Sequence, residues 1–146
     1  MAGVNRAGTS SDGYSLLLSA TFDGNSCSAV RHEVRASAAR SRLDGETLDD
    51  FITAVNEIMT NVVRHGGGTG KLRLWRNGDL VCQVIDHGPG FDPTPHLHRE
   101  HRPQPAATGG MGLWLAQQTS DHLTIASGPD GTTINIYGSL ESGGNT

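Results

Sequence analysis

Apolar residues recur through the middle of the chain with a helical period. Leu48, Phe51, Ile52, Val55, Ile58, Met59, Val62 and Val63 fall on one stripe at about 100° per residue, which predicts an amphipathic helix from about Glu46 to His65. Asp44 or Thr47 stands near its start and Gly66 at its end. The stripe leaves Asp50, Ala54, Glu57 and Asn61 on the opposite side. Upstream, Tyr14–Asp23 is apolar and β-prone and reads as a strand. Asn25 or Ser26 can cap a helix reaching Arg40, with Val30 and Val34 on one side. Downstream, Lys71–Arg76 and Leu80–Asp86 flank Asn77-Gly78, a hairpin signal because both residues tolerate positive φ. Leu80, Cys82, Val84 and Asp86 share one face of the second strand.

From His87 to Gly110 the pattern breaks. This stretch holds five of the six prolines and four of the seven histidines, so it is a long loop rather than a regular element. Gly112–Ser120 then reads as a helix, and His122–Ser127 and Thr132–Tyr137 as two strands around the turn residues 128–131. The order predicts an α+β fold, a largely antiparallel mixed sheet with helices on one face. Residues 1–13 and 141–146 are small and polar and read as disordered tails around one domain at 14–140.

Composition narrows the classes. A chain of 146 residues is long enough for one domain with its own core. Its net charge of −4 argues against a nucleic-acid partner. No apolar run approaches the ~18 residues that cross a membrane, and the N-terminus lacks a signal-peptide core, so a cytoplasmic location is expected. Two cysteines, Cys27 and Cys82, are too few for a disulfide framework or a thiolate zinc site.

Three features carry candidate chemistry. Glu57 and Asn61 stand one helical turn apart; a carboxylate can take a proton, and an amide oxygen is a hard ligand suited to Mg²⁺. Alone, the pair reads more simply as a solvated helix face. Asp86-His87-Gly88-Pro89-Gly90-Phe91 ends a strand in an acceptor and runs into two glycines that allow close backbone approach; alone, it reads more simply as a strand-to-loop turn. Gly109, Gly110 and Gly112 open a helix, where unpaired N–H groups and the dipole favour phosphate, although no Lys-Ser/Thr pair follows as in a P-loop. His96, His98 and His101 lie close together without a placed cysteine or carboxylate to complete a metal site, and Trp75 and Trp114 read as packing residues.

The order of these features resembles the GHKL ATP-binding superfamily, which includes gyrase, histidine kinases, the ninety-kilodalton heat-shock chaperone and MutL-type repair proteins. NEIMTN (56–61) looks like its N box, DHGPGF (86–91) its first glycine box and GGMGLW (109–114) its second, with Gly131-Thr132 in a closing strand. The resemblance implies a Bergerat-type two-layer α/β sandwich that binds ATP and Mg²⁺. It implies that Glu57 is the general base, that Asn61 holds Mg²⁺, and that Asp86 receives the adenine amino group with Thr132 supporting it through water. It further implies that Gly88 and Gly90 admit adenine, that backbone N–H groups of Gly109, Gly110 and Gly112 cradle the phosphates, and that residues 92–108 form an ATP lid. Arg64, Arg99 and Arg102 stand as alternative partners for the γ-phosphate.

With no phosphoacceptor helices or transducer domain in the chain, the stretch ITAVNEIMTNVVRHGG (52–67) looks most like the anti-sigma-factor serine/threonine kinases. That likeness implies a sigma factor and an anti-anti-sigma protein as partners, Arg31 as a partner contact, and a homodimer. The rival expectations are a nucleotide-gated binding module without transferase activity and a detached histidine-kinase catalytic domain.

Overall fold

A computed structural model describes residues 4–5, 8–9, 14–91 and 110–140. Within them the chain order is β1 (Val4–Asn5), β2 (Gly8–Thr9), β3 (Ser15–Phe22), α1 (Cys27–Arg40), α2 (Gly45–His65), β4 (Gly70–Asn77), β5 (Asp79–Asp86), α3 (Gly110–Thr119), β6 (His122–Gly128) and β7 (Gly131–Gly138). The sheet runs β1-β3-β4-β5-β7-β6, with β2 also paired to β3, and every pairing described is antiparallel. The fold is the expected α+β sandwich. Within the segment read as a tail, Val4–Asn5 and Gly8–Thr9 pair with β3.

The core forms where the helices cover the sheet. The inner face presents Leu18, Ala20 and Phe22 of β3, Leu72 and Leu74 of β4, Leu80, Cys82 and Val84 of β5, and Ile134 and Ile136 of β7. Against them α2 packs Phe51, Val55, Ile58, Met59 and Val62, with Ile58 fully buried. The predicted stripe is thus the buried one. Ala54, expected on the open side, is also fully buried, on the flank of α2 that meets α3. Asp50, on the same side one turn earlier, remains exposed.

Local chemistry sets the ends. The Asp23 carboxylate accepts the N–H groups of Asn25 and Ser26 at 2.9 and 3.0 Å and turns the chain into α1. The Ser26 and Asn25 amide bonds hold the Asp23 carboxyl below its ordinary value. Helix α1 ends without glycine: Arg42 takes a φ of 76°, Arg42 N–H bonds Ala39 O, and Leu43 N–H bonds Ala38 O, the paired closure of a Schellman motif. Helix α2 carries Glu46 in its first turn and Arg64 and His65 in its last, each matching the local sign of the helix dipole. At the β4–β5 hairpin Asn77 pairs with Asp79 around Gly78, and of the two residues that tolerate positive φ only Gly78 takes it (76°).

Candidate functional site

The sheet brings the polar ends of its strands into one row. Phe22 pairs with Gly70, Gly70 with Asp86, Asp86 with Thr132, and Thr132 with Ser127. Asp86 and Thr132 therefore stand side by side on β5 and β7, pointing to the helical face, and both are buried. Above them opens a cavity of about 240 Å³ between the sheet, the C-terminal half of α2 and the first turn of α3. Ile58, Val62, Leu113 and Ile134 supply apolar walls; Asn61, Asp86 and Thr132 supply polar groups; His65, Gly66, Gly90 and Phe91 complete the rim. An apolar slot with a few converging polar groups suits a small organic ligand.

The Asp86 carboxylate is held by its own loop. Oδ1 accepts the Gly88 N–H at 2.9 Å, while Oδ2 faces Gly66 closely enough that a Cβ there would lie 2.5 Å away. Gly90 takes a φ of 76°, and a Cβ there would sit on the Gly128 carbonyl, so the loop passes the end of β6 with no room for a side chain. One step on, the Phe91 N–H donates to Ser127 Oγ at 2.8 Å, and Ser127 Oγ lies 2.7 Å from Thr132 Oγ1. Phe91 is the one large apolar side chain exposed among the described residues, at 38%.

At the other end of the cavity α2 meets the start of α3. A Cβ on Gly112 would lie 3.1 Å from Glu57 Oε1 and 3.3 Å from Asn61 Oδ1, so Gly112 brings the α3 backbone onto both polar side chains. Glu57 and Asn61 are half-buried and form no hydrogen bond among the described residues. The first turn of α3 contains no acidic residue, and the leading N–H groups of a helix have no partner within the helix. An anion next to these groups, a hard oxygen at Asn61 and a carboxylate at Glu57 would all meet within one turn of α2.

The sequence-predicted site residues therefore fall into three sets. Asn61, Asp86, Gly90 and Thr132 line the cavity, and Gly88 supports it through Asp86. Glu57 and Gly112 stand at its α3 end, beside Asn61, and Gly110 is the first residue of α3, two residues earlier than the helix start read from the sequence. Gly109 and the lid at 92–108, with Arg99, Arg102, His96, His98 and His101, lie outside the described residues. Arg64 is exposed and does not line the cavity. Arg31 donates to Asn56 Oδ1 at 2.6 Å and to Ser28 Oγ at 3.4 Å on the α1–α2 seam, away from the cavity.

Of the aromatic residues read as packing, Trp75 meets Tyr14 edge-on at 6.3 Å, and Trp114 buries an indole Nε1 without a hydrogen-bond partner among the described residues. Burial pushes the Cys82 thiol up, and desolvation raises that of half-buried Cys27 against the opposing pull of Arg31. Among the described residues no group of three His, Cys, Asp or Glu side chains could hold a metal by itself, and no helix is long and apolar enough to cross a membrane.

Ser127 is the site residue that sequence reading missed. Its signal was the two-residue turn Pro129-Asp130: pairing Gly128 with Gly131 forces Ser127 opposite Thr132. A model of the histidine kinase-like ATPase domain matches residues 20–137, most of the chain, from the end of β3 into β7, and so takes in every residue that lines the cavity. The chain belongs to the histidine kinase-like ATPase domain family, within the GHKL superfamily of ATP-binding proteins.

Proposed function

We propose that the chain binds ATP with Mg²⁺ and transfers the γ-phosphoryl group to a serine or threonine hydroxyl of a protein partner, as an anti-sigma-type kinase that holds a sigma factor and phosphorylates an anti-anti-sigma protein. The observation that carries this reading is the meeting of Glu57, Asn61 and the glycine-built start of α3 at Gly112. The likeness of residues 52–67 to the anti-sigma-factor kinases supports the choice of substrate class.

The residues present suit these ligands. The slot between Ile58, Val62, Leu113 and Ile134 takes an aromatic base, and Asp86 offers a buried acceptor for an exocyclic amine. The α3 amides receive phosphate oxygens without a competing acidic side chain in the first turn. Asn61 Oδ1 is a hard oxygen free to hold Mg²⁺, a cation that keeps few protein ligands when it also binds phosphates. When bound, the cation neutralises charge developing on the phosphate oxygens. Glu57 accepts the proton of the attacking hydroxyl as the new phosphorus–oxygen bond forms and the bond to ADP breaks. Positioning supplies most of the rate in such a reaction, which suits a site built on two helices and one sheet.

The test is incubation with labelled ATP and candidate partner proteins. Glu57→Ala should lower transfer about 10²–10⁴-fold while leaving ADP affinity within about threefold. Unchanged transfer in this variant would remove the general-base role. The label should survive acid, as phosphoserine does; an acid-labile product would make the chain the catalytic domain of a detached histidine kinase. Saturable nucleotide binding with no transfer to any partner would make it a nucleotide-gated binding module.

A further inference from the structure

The face of the sheet turned away from the helices carries a short cationic stripe. Lys71 and Arg73 alternate with the buried Leu72 and Leu74 on β4, so both belong to that outer face, about 7 Å apart at the strand repeat. Lys71 is exposed and is the only lysine in the chain. Neither cation forms an ion pair or hydrogen bond among the described residues. Their neighbours across the sheet are uncharged: Thr21 and Ile85 flank Lys71, and Ser19 and Gln83 flank Arg73. Lysine on an edge strand blocks stray pairing, but β4 lies between β3 and β5, so that role does not account for Lys71. Beyond Lys71 the face deepens into a second cavity of about 250 Å³, walled by Thr69, Ile85 and His87 and the backbone of Gly66, Gly67 and Gly70. None of the described residues that line it is acidic.

We propose that this stripe and cavity form a docking surface for an extended segment of a protein partner, one that carries acidic residues at alternate positions and an apolar residue two places beyond them. An extended chain repeats its side chains on one face every two residues, about 7 Å, which is the spacing of Lys71 and Arg73. Two carboxylates at that spacing meet the two cations. The next side chain on the same face reaches the cavity beside Lys71, where Ile85 and glycine backbone offer an apolar seat. Like charges side by side on one strand repel, and an occupant of opposite sign relieves that repulsion. The surrounding charge limits the occupant to a short segment. Asp23, Asp79, Asp121 and Asp130 stand exposed at strand ends and turns around the sheet, and the chain carries 15 acidic against 11 basic residues. A nucleic-acid strand or an anionic membrane draws on many cations over a long path and would meet these carboxylates, whereas a short acidic segment needs only two cations. Lys71 and Arg73 lie on the opposite face from Asp86 and Thr132, so the inference stands apart from the nucleotide reading.

The test uses the full chain, without nucleotide and at low salt, and reads fluorescence anisotropy. The probe is a labelled, end-capped peptide with leucine first, glutamate third and fifth, and serine at the second, fourth and sixth positions. Saturable binding is expected. Lys71→Glu and Arg73→Glu should each weaken it about tenfold, because each removes an exposed ion pair and adds a like charge. Both variants should melt within about 3 °C of wild type, as surface substitutions do. Lys71→Gln, which keeps the length without the charge, should weaken binding about threefold and serves if a reversed variant melts non-cooperatively. Moving the second glutamate next to the first keeps the peptide's charge but turns one carboxylate to the other face, and should cost about threefold. Exchanging the leucine for serine should cost about the same by removing the apolar contact. No saturation by about 1 mM protein overturns the proposal. Equal affinity for the two glutamate spacings, or undiminished binding by the reversed variants, overturns it too. So does tighter binding to a single strand of oligothymidine or to phosphatidylserine vesicles than to the peptide, since the face would then attract polyanions through charge alone.

Discussion

A methyl group added at Gly66 would lie 2.5 Å from Asp86 Oδ2 and 3.0 Å from Val62 Cα. The backbone there has a φ of −103°, which any residue adopts, so the cost of a side chain is contact alone. Gly66→Ala is therefore a substitution that strains the site more than the fold. It should cost about 1–3 kcal/mol of stability by overpacking and weaken ADP binding more than about tenfold by displacing the Asp86 carboxylate. Calorimetry beside a urea melt checks both numbers, and wild-type affinity in a folded variant would show that Asp86 is not the acceptor. At this scale the sequence exposed what is local. Asp86, Gly88 and Gly90 are consecutive in one loop, and Glu57 and Asn61 are one turn apart on one helix. Gly66 was legible only as a helix end, since its contact with Asp86 is made by folding the α2–β4 connection onto the end of β5. Ser127 reaches Phe91 across 36 residues, a distance that no local pattern spans.

Helix α2 was the most legible element because its apolar positions repeat with the helical period along its whole length, and the structure buries that stripe. Its second contact, with α3, left no such trace. Alanine is neutral in a helix pattern, so Ala54 announces neither burial nor exposure until α3 is packed against it. The end of α1 was silent for a related reason. A Schellman closure is ordinarily marked by glycine, whereas this chain puts Arg42 in the left-handed region at φ 76° and still makes both closing bonds. An L-residue there costs about 1–2 kcal/mol of local conformational energy. Glycine would relieve that strain but give back part of the gain as extra freedom in the unfolded chain. Arg42→Gly should therefore stabilise the protein by about 0.5–1 kcal/mol, because the exposed Arg42 side chain forms no bond among the described residues. A chemical melt with unchanged slope and a higher midpoint is the expected result; a lower midpoint would mean that the left-handed turn is not maintained in solution.

The whole molecule is a sheet covered by three helices: α2 touches β4, β5 and β7 on one side and α3 on another, and α1 packs on β3 and α2. Helix α3 meets the sheet mainly at β6, and the cavity lies between its first turn and the ends of β5 and β7. A ligand in the cavity would touch Asp86 and Thr132 on the sheet and Leu113 on α3 together. The architecture explains why the fold class could be read from element order while the site could not be read from any one element: the sandwich follows from which faces are apolar, but the cavity depends on the register that aligns Gly70, Asp86, Thr132 and Ser127 in one row. A ligand bound only by the folded chain stabilises it by about 2.7 kcal/mol at a hundredfold excess over its dissociation constant. For a domain of this size, that raises the melting temperature by about 5–10 °C. Saturating ADP with Mg²⁺ should produce this shift in the wild type. Asp86→Asn should remove most of it, since an amide that donates toward the exocyclic amine replaces a carboxylate that accepts from it. A full shift in the variant would place the bound nucleotide away from the β5–β7 floor, because the linkage depends only on affinity for the folded state and Asp86 is a buried acceptor on that floor.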